Sequence, residues 1–568
     1  MAWDLSCLDW EQRLRDGRSL VPDLPIDLVQ GDRAVSVYNK LRLADVPGTP
    51  KLEEAGGDWF RDIVRALFGS LVASPSQILA RERMIRELFL LVPKKNSKTT
   101  NGALLMLTAL LLNERPQASL IMTAPVQDVA QMAFDAAAGA IRLDSVLERK
   151  LHIKDHLKTI VHRETKAELA IMSFDPAALT GQKPIAVLID ELHVVAKMPK
   201  AKSAIRQLRG GMLPFPEAFM AFITTQSEEA PVGAFKDELQ KARAIRDGTR
   251  KGPMLPVLYE FPEDIQRPKE KGPEPWRDSS LWHMVTPNVG RSITIPRLVE
   301  EYETARDTSQ EELRAWASQH LNIEIGLALK SDCWSGATFW EAQGRREVTF
   351  EYLLQWSEVI DFGVDGGGLD DLLGAAAIGR HKVTHEWLHW AHAWAHESVF
   401  ERRKDIAAQL QDFADEGSLT IVERVGQDCE EVAAFAARIE KADLLDKVGV
   451  DTAGIGAILD ELEVAGVPPE KVVGVPQNFK LAGAIKTVER KLAGGMFHHG
   501  GTALMNWCCG NARIEVRGNA IYVTKMASGL AKIDPLMATY DAASLMSLNP
   551  AAMGGLEDFL MNPIVMPA

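Results

Sequence analysis

Residues 87–112, ELFLLVPKKNSKTTNGALLMLTALLL, decide the fold of the amino-terminal half. The apolar run Leu88–Val92 reads as a buried strand, Pro93-Lys94-Lys95-Asn96-Ser97 breaks it, and an Ala/Leu/Met-rich run of helix length follows from Lys98. A tight loop between strand and helix is a cradle for an anion. Successive backbone N–H groups and the free amides of the first helical turn point at one place, and the helix dipole favours negative charge there. In that geometry Lys98 supplies a point charge for the β- and γ-phosphates of ATP, and the Thr99 hydroxyl a ligand for Mg²⁺. Against the pattern G-x-x-x-x-G-K-[ST], Val92 and Ser97 stand where the two glycines belong. Taken alone, the stretch also fits a basic surface turn capping a core helix.

Two later segments favour the cradle. Ile185-Ala186-Val187-Leu188-Ile189-Asp190-Glu191 is an apolar strand ending in two acids. Asp190 can hold a water of the Mg²⁺ shell, and Glu191 can polarise the water that attacks the γ-phosphate. Residues 218–223 form another buried strand, ending in Thr224-Thr225-Gln226, where a γ-phosphate sensor would sit. The strand–helix alternation from 87 to 226 predicts a mostly parallel sheet with helices on both faces and its ligand at the carboxyl ends of the strands, where Lys98, Asp190 and Thr225 fall. Upstream, Trp59, Ile63, Val64 and Leu67 have helical spacing, and this aromatic face either covers a nucleotide base or packs into the core. Residues 1–50, broken by Pro22, Pro25, Pro47 and Pro50, predict a short helix near Trp10–Asp16 and little else. The basic stretch 150–166 reads as a hairpin at the rim of the sheet.

The chain has 568 residues, enough for three or four domain-sized units. Its 64 basic and 78 acidic residues give −14, which argues against coating nucleic acid by bulk charge and leaves room for a local basic channel. Five cysteines without metal-ligand spacing suit a reducing cytosol. The amino terminus shows no signal-peptide pattern, and the apolar runs are too short to span a bilayer, so a soluble, non-exported protein without a membrane partner is expected. From about 259 prolines punctuate a polar segment that leads into a charged helix ending near Asn322, a linker subdomain.

In the second half, Ser357–Val364 reads as a strand ending at Asp365, with Gly366-Gly367-Gly368 and Asp371 in the following turn. Lys447–Val450 is a strand ending at Asp451, and Asp534 opens an apolar carboxyl-terminal helix at Lys532-Ile533-Asp534-Pro535. Three carboxylates so placed can converge on two Mg²⁺ or Mn²⁺ ions that activate a water and stabilise the leaving 3′-oxygen of a phosphodiester. Each acid by itself also fits a cap or a turn. His385, His389, His392 and His396 lie among tryptophans at spacings that suit one helical face and zinc. The same residues alternate as a strand beside the Asp365 hairpin, and no Cys or acid completes a ligand set, so the structural reading is preferred.

The two sites in this order resemble the large terminase subunit of tailed bacteriophages, over about 57–548. The resemblance rests on Val92-Pro93-Lys94-Lys95-Asn96-Ser97-Lys98-Thr99, Leu188-Ile189-Asp190-Glu191-Leu192-His193 and Ile223-Thr224-Thr225. It extends through Thr286-Pro287-Asn288-Val289-Gly290 and His320-Leu321-Asn322, then Gly363-Val364-Asp365, Asp371-Leu372, Asp451, Val475-Pro476-Gln477, His499-Gly500, Lys525 and Lys532-Ile533-Asp534. It implies an α/β chain: a P-loop ATPase domain, 57–258, after an amino-terminal extension, 1–56; a linker subdomain, 259–346; and an RNase H-like nuclease domain, 347–568. It further implies nucleotide binding by Lys94, Lys95, Asn96, Ser97, Lys98, Thr99 and Asp190, catalysis by Glu191, coupling by Thr224, Thr225 and Gln226, and nuclease metal ligation by Asp365, Asp451 and Asp534 with Asp371 nearby. Departures are Ser97 for a loop glycine and Lys94 for what is often arginine, which loses a planar fork.

The function so implied is an ATP-driven motor that moves double-stranded DNA into a procapsid and cuts concatemers. Its partners would be a small terminase subunit, the portal protein and further copies in a ring, in the host cytoplasm. Arg142, Arg206 and Arg209 are candidates for an arginine supplied to a neighbouring subunit's site. Two other readings stay open: a helicase-like or recombination ATPase with an integrase half, and a DNA-docking scaffold that does not hydrolyse ATP.

Overall fold

The computed structural model describes residues 3–73, 81–198, 200–229, 231–266, 273–324, 334–368, 371–404, 406–451, 456–477, 479–517, 520–524 and 532–553. It divides into two compact units, Met1–Ile325 and Gly326–Ala568.

The first unit is built on eight strands: β1 (Glu87–Leu91), β2 (Ser119–Ala124), β3 (Leu151–Lys154), β4 (Thr159–His162), β5 (Glu168–Ser173), β6 (Ala186–Asp190), β7 (Phe219–Thr224) and β8 (Met254–Leu258). They lie in the order β8-β1-β7-β6-β2-β5-β4-β3. From β8 to β5 all pairings are parallel, while the β3–β4 hairpin adds the expected antiparallel rim. Every residue of β6 and β7 is buried, as continuous apolar runs in a sheet covered on both faces require. Helix α1 (Lys98–Leu112) lies directly on this sheet. A Cβ at Gly102 would come within 2.9 Å of Ile223 Cδ1, so glycine sets that close approach.

The ends of this unit depart from the expected domain plan. Besides the short helix Trp10–Arg15, a 13-residue helix, Leu28–Lys40, stands between Pro25 and Pro47, so the prolines bracket an element where they were expected to prevent one. Its Tyr38 hydroxyl donates to Asn101 Oδ1 of α1 at 2.8 Å. The amino-terminal segment is therefore part of the first unit, and so is the chain through residue 324, which had been expected to form a linker subdomain.

The second unit holds β9 (Ser357–Gly366), β10 (Leu373–His381), β11 (Trp387–His396), β12 (Leu419–Val422), β13 (Leu445–Asp451), β14 (Val472–Val475) and β15 (Phe497–His499). The order is β12-β11-β10-β9-β13-β14, with β15 pairing to β11. An antiparallel meander, β9–β10–β11, is extended on the β9 side by parallel β13 and β14, the strand arrangement of an RNase H-like fold. Helix α2 (Asp534–Met546) crosses this sheet so closely that a Cβ at Gly363 would meet Ala538 O at 2.0 Å, and one at Gly374 would meet Pro535 N at 2.5 Å.

The histidine-rich stretch is strand β11, as the alternation indicated. His389 contacts Thr539 Oγ1 at 2.9 Å and His392 contacts Thr420 Oγ1 at 2.8 Å, and being three apart in a strand they face opposite sides. Burial pushes the His392 imidazole down to about 4, so it packs as a neutral ring. Among the described residues no helix is long and apolar enough to cross a membrane.

Candidate active sites

In the first unit, β1, β7 and β6 are neighbours, so the loop after β1, the Thr224–Gln226 segment after β7 and the acids closing β6 meet at one end of the sheet. Ser97 adopts φ 56 and ψ 30, the left-handed conformation that a loop glycine would take freely and a serine takes at a cost of about 1–2 kcal/mol. Lys95 is also left-handed, at φ 68. Ser97 caps α1 by position but makes no side-chain cap bond, which leaves the first-turn amides to other acceptors.

Lys98 Nζ lies 2.9 Å from Glu191 Oε1, and Thr99 Oγ1 donates to Asp190 Oδ2 at 2.6 Å. Both pairs are largely buried. Burial and the adjoining Glu191 carboxylate push Asp190 above the usual carboxylate range, against the pull of Lys98. Glu191, at φ 52, is a third left-handed non-glycine residue here, and such strain gathers at sites where the surroundings over-determine a side chain's position. Its Oε2 faces His193 Nδ1 at 3.4 Å, while the His193 N–H donates to Thr224 Oγ1 at 3.1 Å. Burial holds the His193 imidazole down at about 4.

Residues beyond the sequence candidates complete this site. Asn96 is fully buried; its Oδ1 accepts from Asn288 N at 3.0 Å and its Nδ2 donates to Pro93 O at 3.1 Å. Lys94 N donates to Gln319 O at 2.8 Å, and Lys94 Nζ is 3.9 Å from Glu228. Gln226 N donates to Asn322 Oδ1 at 3.0 Å, and its carbonyl accepts from Gln319 Nε2 at 2.7 Å. Asn288, Gln319 and Asn322 thus clamp both the loop and the Thr224–Gln226 segment. The signal for Asn288 and Asn322 was in the Thr286–Gly290 and His320–Asn322 motifs, but nothing in the sequence assigned Asn288 to the loop or Asn322 to Gln226. Trp59 packs edge-on against Phe60 and Tyr259 and borders, with Pro287, a cavity of about 300 Å³.

Of the candidate arginines, Arg209 is engaged with Glu87 and Glu238 and Arg142 with Asp155, while Arg206 is exposed.

In the second unit Asp365 closes β9 and Asp451 closes β13. Val364 pairs with Val450, so the two acids end adjacent parallel strands at the same level. Asp534 opens α2, its Cγ 3.2 Å from where a Gly366 Cβ would be. Asp371 is paired with the buried Lys532. Lys525 and Thr452-Ala453-Gly454 lie outside the described residues. The four acids share one end of the sheet, yet among the described residues no group of three or more His, Cys, Asp or Glu is close enough to hold a metal ion as it stands.

The structure also adds Asp541, which the sequence reading passed over. It is fully buried on α2; Gln477 Nε2 lies 3.3 Å from its Oδ2 and also donates to Asp365 Oδ1. Burial, then the charge of Asp365, pushes Asp541 well above the usual carboxylate range. Its spacing from Asp534, two helical turns, places both on one face of α2 and was legible in the sequence.

Residues 66–244 match the family model described as "Terminase large subunit, ATPase domain". Among curated proteins the chain is similar to Protein YmfN of Escherichia coli (strain K12), 19% identical over 340 residues, which cover 58% of this chain and 70% of that protein. Among solved structures it is similar to the HK97 bacteriophage large terminase, with 17% identity and a TM-score of 0.48 over 91% of this chain and 99% of that one. It is also similar to the large terminase of a thermophilic bacteriophage, solved in complex with ADP, with 11% identity and a TM-score of 0.28 over 81% and 94% of the two chains. Residues 66–244 thus form an ATPase domain of the terminase large-subunit type.

Proposed function

We propose that this large terminase subunit couples ATP hydrolysis in its first unit to translocation of double-stranded DNA into a procapsid, and that its second unit is a metal-dependent endonuclease that cuts concatemeric DNA when packaging starts and ends. The observation that carries the motor reading is the pair of contacts Lys98–Glu191 and Thr99–Asp190 at the carboxyl ends of neighbouring strands.

The uncapped first turn of α1 and the Lys98 ammonium bind the β- and γ-phosphates of ATP. Thr99 and Asp190 offer paired hard oxygens suited to Mg²⁺, which when bound neutralises phosphate charge. On phosphate binding Lys98 exchanges its contact with Glu191 for the triphosphate, and Glu191 is released to take a proton from the attacking water. His193 and Thr224 carry that change from Glu191 to the Gln226 backbone, and so to Gln319 and Asn322. In the second unit Asp365, Asp451 and Asp534 offer an all-oxygen donor set, which suits Mg²⁺ or Mn²⁺; bound there, the metal would activate water for phosphodiester cleavage. A small terminase subunit, the portal and other copies of the chain are the expected partners.

The test is an ATPase assay with and without double-stranded DNA on the full chain and on Lys98→Ala. The expected result is DNA-stimulated turnover lost in the variant. Turnover that survives Lys98→Ala, or its absence in both chains, overturns the motor reading.

A further inference from the structure

We propose that Asp541 is a metal ligand of the second unit's site, taking a hard divalent cation between itself and Asp365, with Gln477 as the group the cation displaces. The inference rests on the nuclease reading above and adds a residue that the terminase resemblance did not supply.

Side-chain alternation fixes where the strand acids point. The Cβ position of Gly363 faces the α2 backbone at Ala538, and that of Gly449 lies 3.4 Å from Asp541 O. Asp365 and Asp451, each two residues farther along, therefore face α2 as well. Asp534 meets this group from the β10 side, against Gly366 and Gly374, whereas Asp541 lies against β13 and has Asp365 and Asp451 as its charged neighbours.

Asp541 carries the signature of a ligand. It is fully buried, and its Oδ1 has no hydrogen-bond partner among the described residues. Its Oδ2 shares one neutral amide, Gln477 Nε2, with Asp365. An amide shared by two carboxylates satisfies lone pairs without cancelling charge, and a buried acid beside like charges is destabilising until a cation joins it. A donor set made only of carboxylate oxygens selects Mg²⁺ or Mn²⁺ over softer metals.

The experiment titrates the full chain with Mn²⁺ alone, following the free ion by electron paramagnetic resonance, and melts each protein with and without Mn²⁺. Asp541→Asn is expected to weaken Mn²⁺ binding at least ten-fold and to abolish the Mn²⁺-induced rise in Tm. Gln477→Ala, which keeps Asp541, should bind Mn²⁺ several-fold more tightly. Wild-type Mn²⁺ affinity in Asp541→Asn, or weakened binding in Gln477→Ala, overturns the proposal and leaves the nuclease standing if the wild type cuts DNA. A wild-type chain that neither binds Mn²⁺ nor cuts removes the nuclease reading, and this ligand with it.

Discussion

The two acid-bearing sheet ends solve opposite electrostatic problems. At the end of β6, Glu191 is paired with Lys98 and Asp190 accepts from the Thr99 hydroxyl, so a cation stands among the acids there. At the ends of β9 and β13, Asp365 shares an amide with Asp541 of α2, and the charges that act on Asp541 are the carboxylates of Asp365 and Asp451. The same contrast recurs away from the sites. Glu87 at the start of β1 is buried, which raises it, but Arg209 and Lys241 more than reverse this and hold it below its ordinary range. Asp361 in β9, buried beside Asp446, is pushed up to about 8. Glu87 in the first unit has cations beside it and Asp361 in the second has another acid, so the two buried carboxylates shift in opposite directions.

The largest test separates the sites by chemistry. Glu191→Gln should lower ATP turnover about 10²–10⁴-fold while Mn²⁺-dependent plasmid cutting persists, and Asp365→Asn should do the reverse. If either variant lost both activities, the two sites would not be the independent centres contrasted here.

Next comes the compensated carboxylate. Glu87→Gln should destabilise the chain by about 3 kcal/mol at pH 7, measured by urea denaturation, because it leaves Arg209 and Lys241 short of a buried partner. Glu87's native value is depressed, so its contribution is present above the unfolded carboxylate range and is lost as the pH falls through its native value. The difference between variant and wild type should therefore shrink in acid.

Asp361 has the opposite sign. Its native value, about 8, lies above the unfolded one, so its contribution is complete below about pH 4 and is lost as the pH rises through 8. Asp361→Asn should gain on the wild type by up to about 1.4 kcal/mol per pH unit across that window. A constant difference between pH 4 and 8 would remove the uncompensated-acid account of the second unit.

The smallest effect concerns the loop. Ser97→Gly relieves a left-handed serine and should tighten ATP binding by about 1 kcal/mol, roughly five-fold, in an equilibrium titration. Unchanged or weaker binding would mean that the Asn288 contact with Ser97 Oγ, at 3.4 Å, matters more than the backbone strain.

Much of this was legible from the chain. Continuous apolar strands ending in polar residues gave β1, β6 and β7 and put Lys98, Asp190 and Thr225 at their carboxyl ends, because a parallel sheet buried on both faces leaves few other arrangements. The histidines of β11 were read correctly as strand alternation. The helix Leu28–Lys40 was not, since prolines were taken as breakers of a segment they only bound. Asn288, Gln319 and Asn322 escaped assignment to the loop and to Gln226 because their contacts span from about a hundred to more than two hundred residues of chain.

Local pattern by itself determined most of the elements around the sites and the acids at strand ends, since periodicity and turn propensity act over a few residues. Which acids face one another was decided only by the folded chain. Close passage of α2 over Gly363 and Gly449 brings Asp541 to Asp365, and no rule of local spacing encodes a helix lying that near a strand far away in sequence.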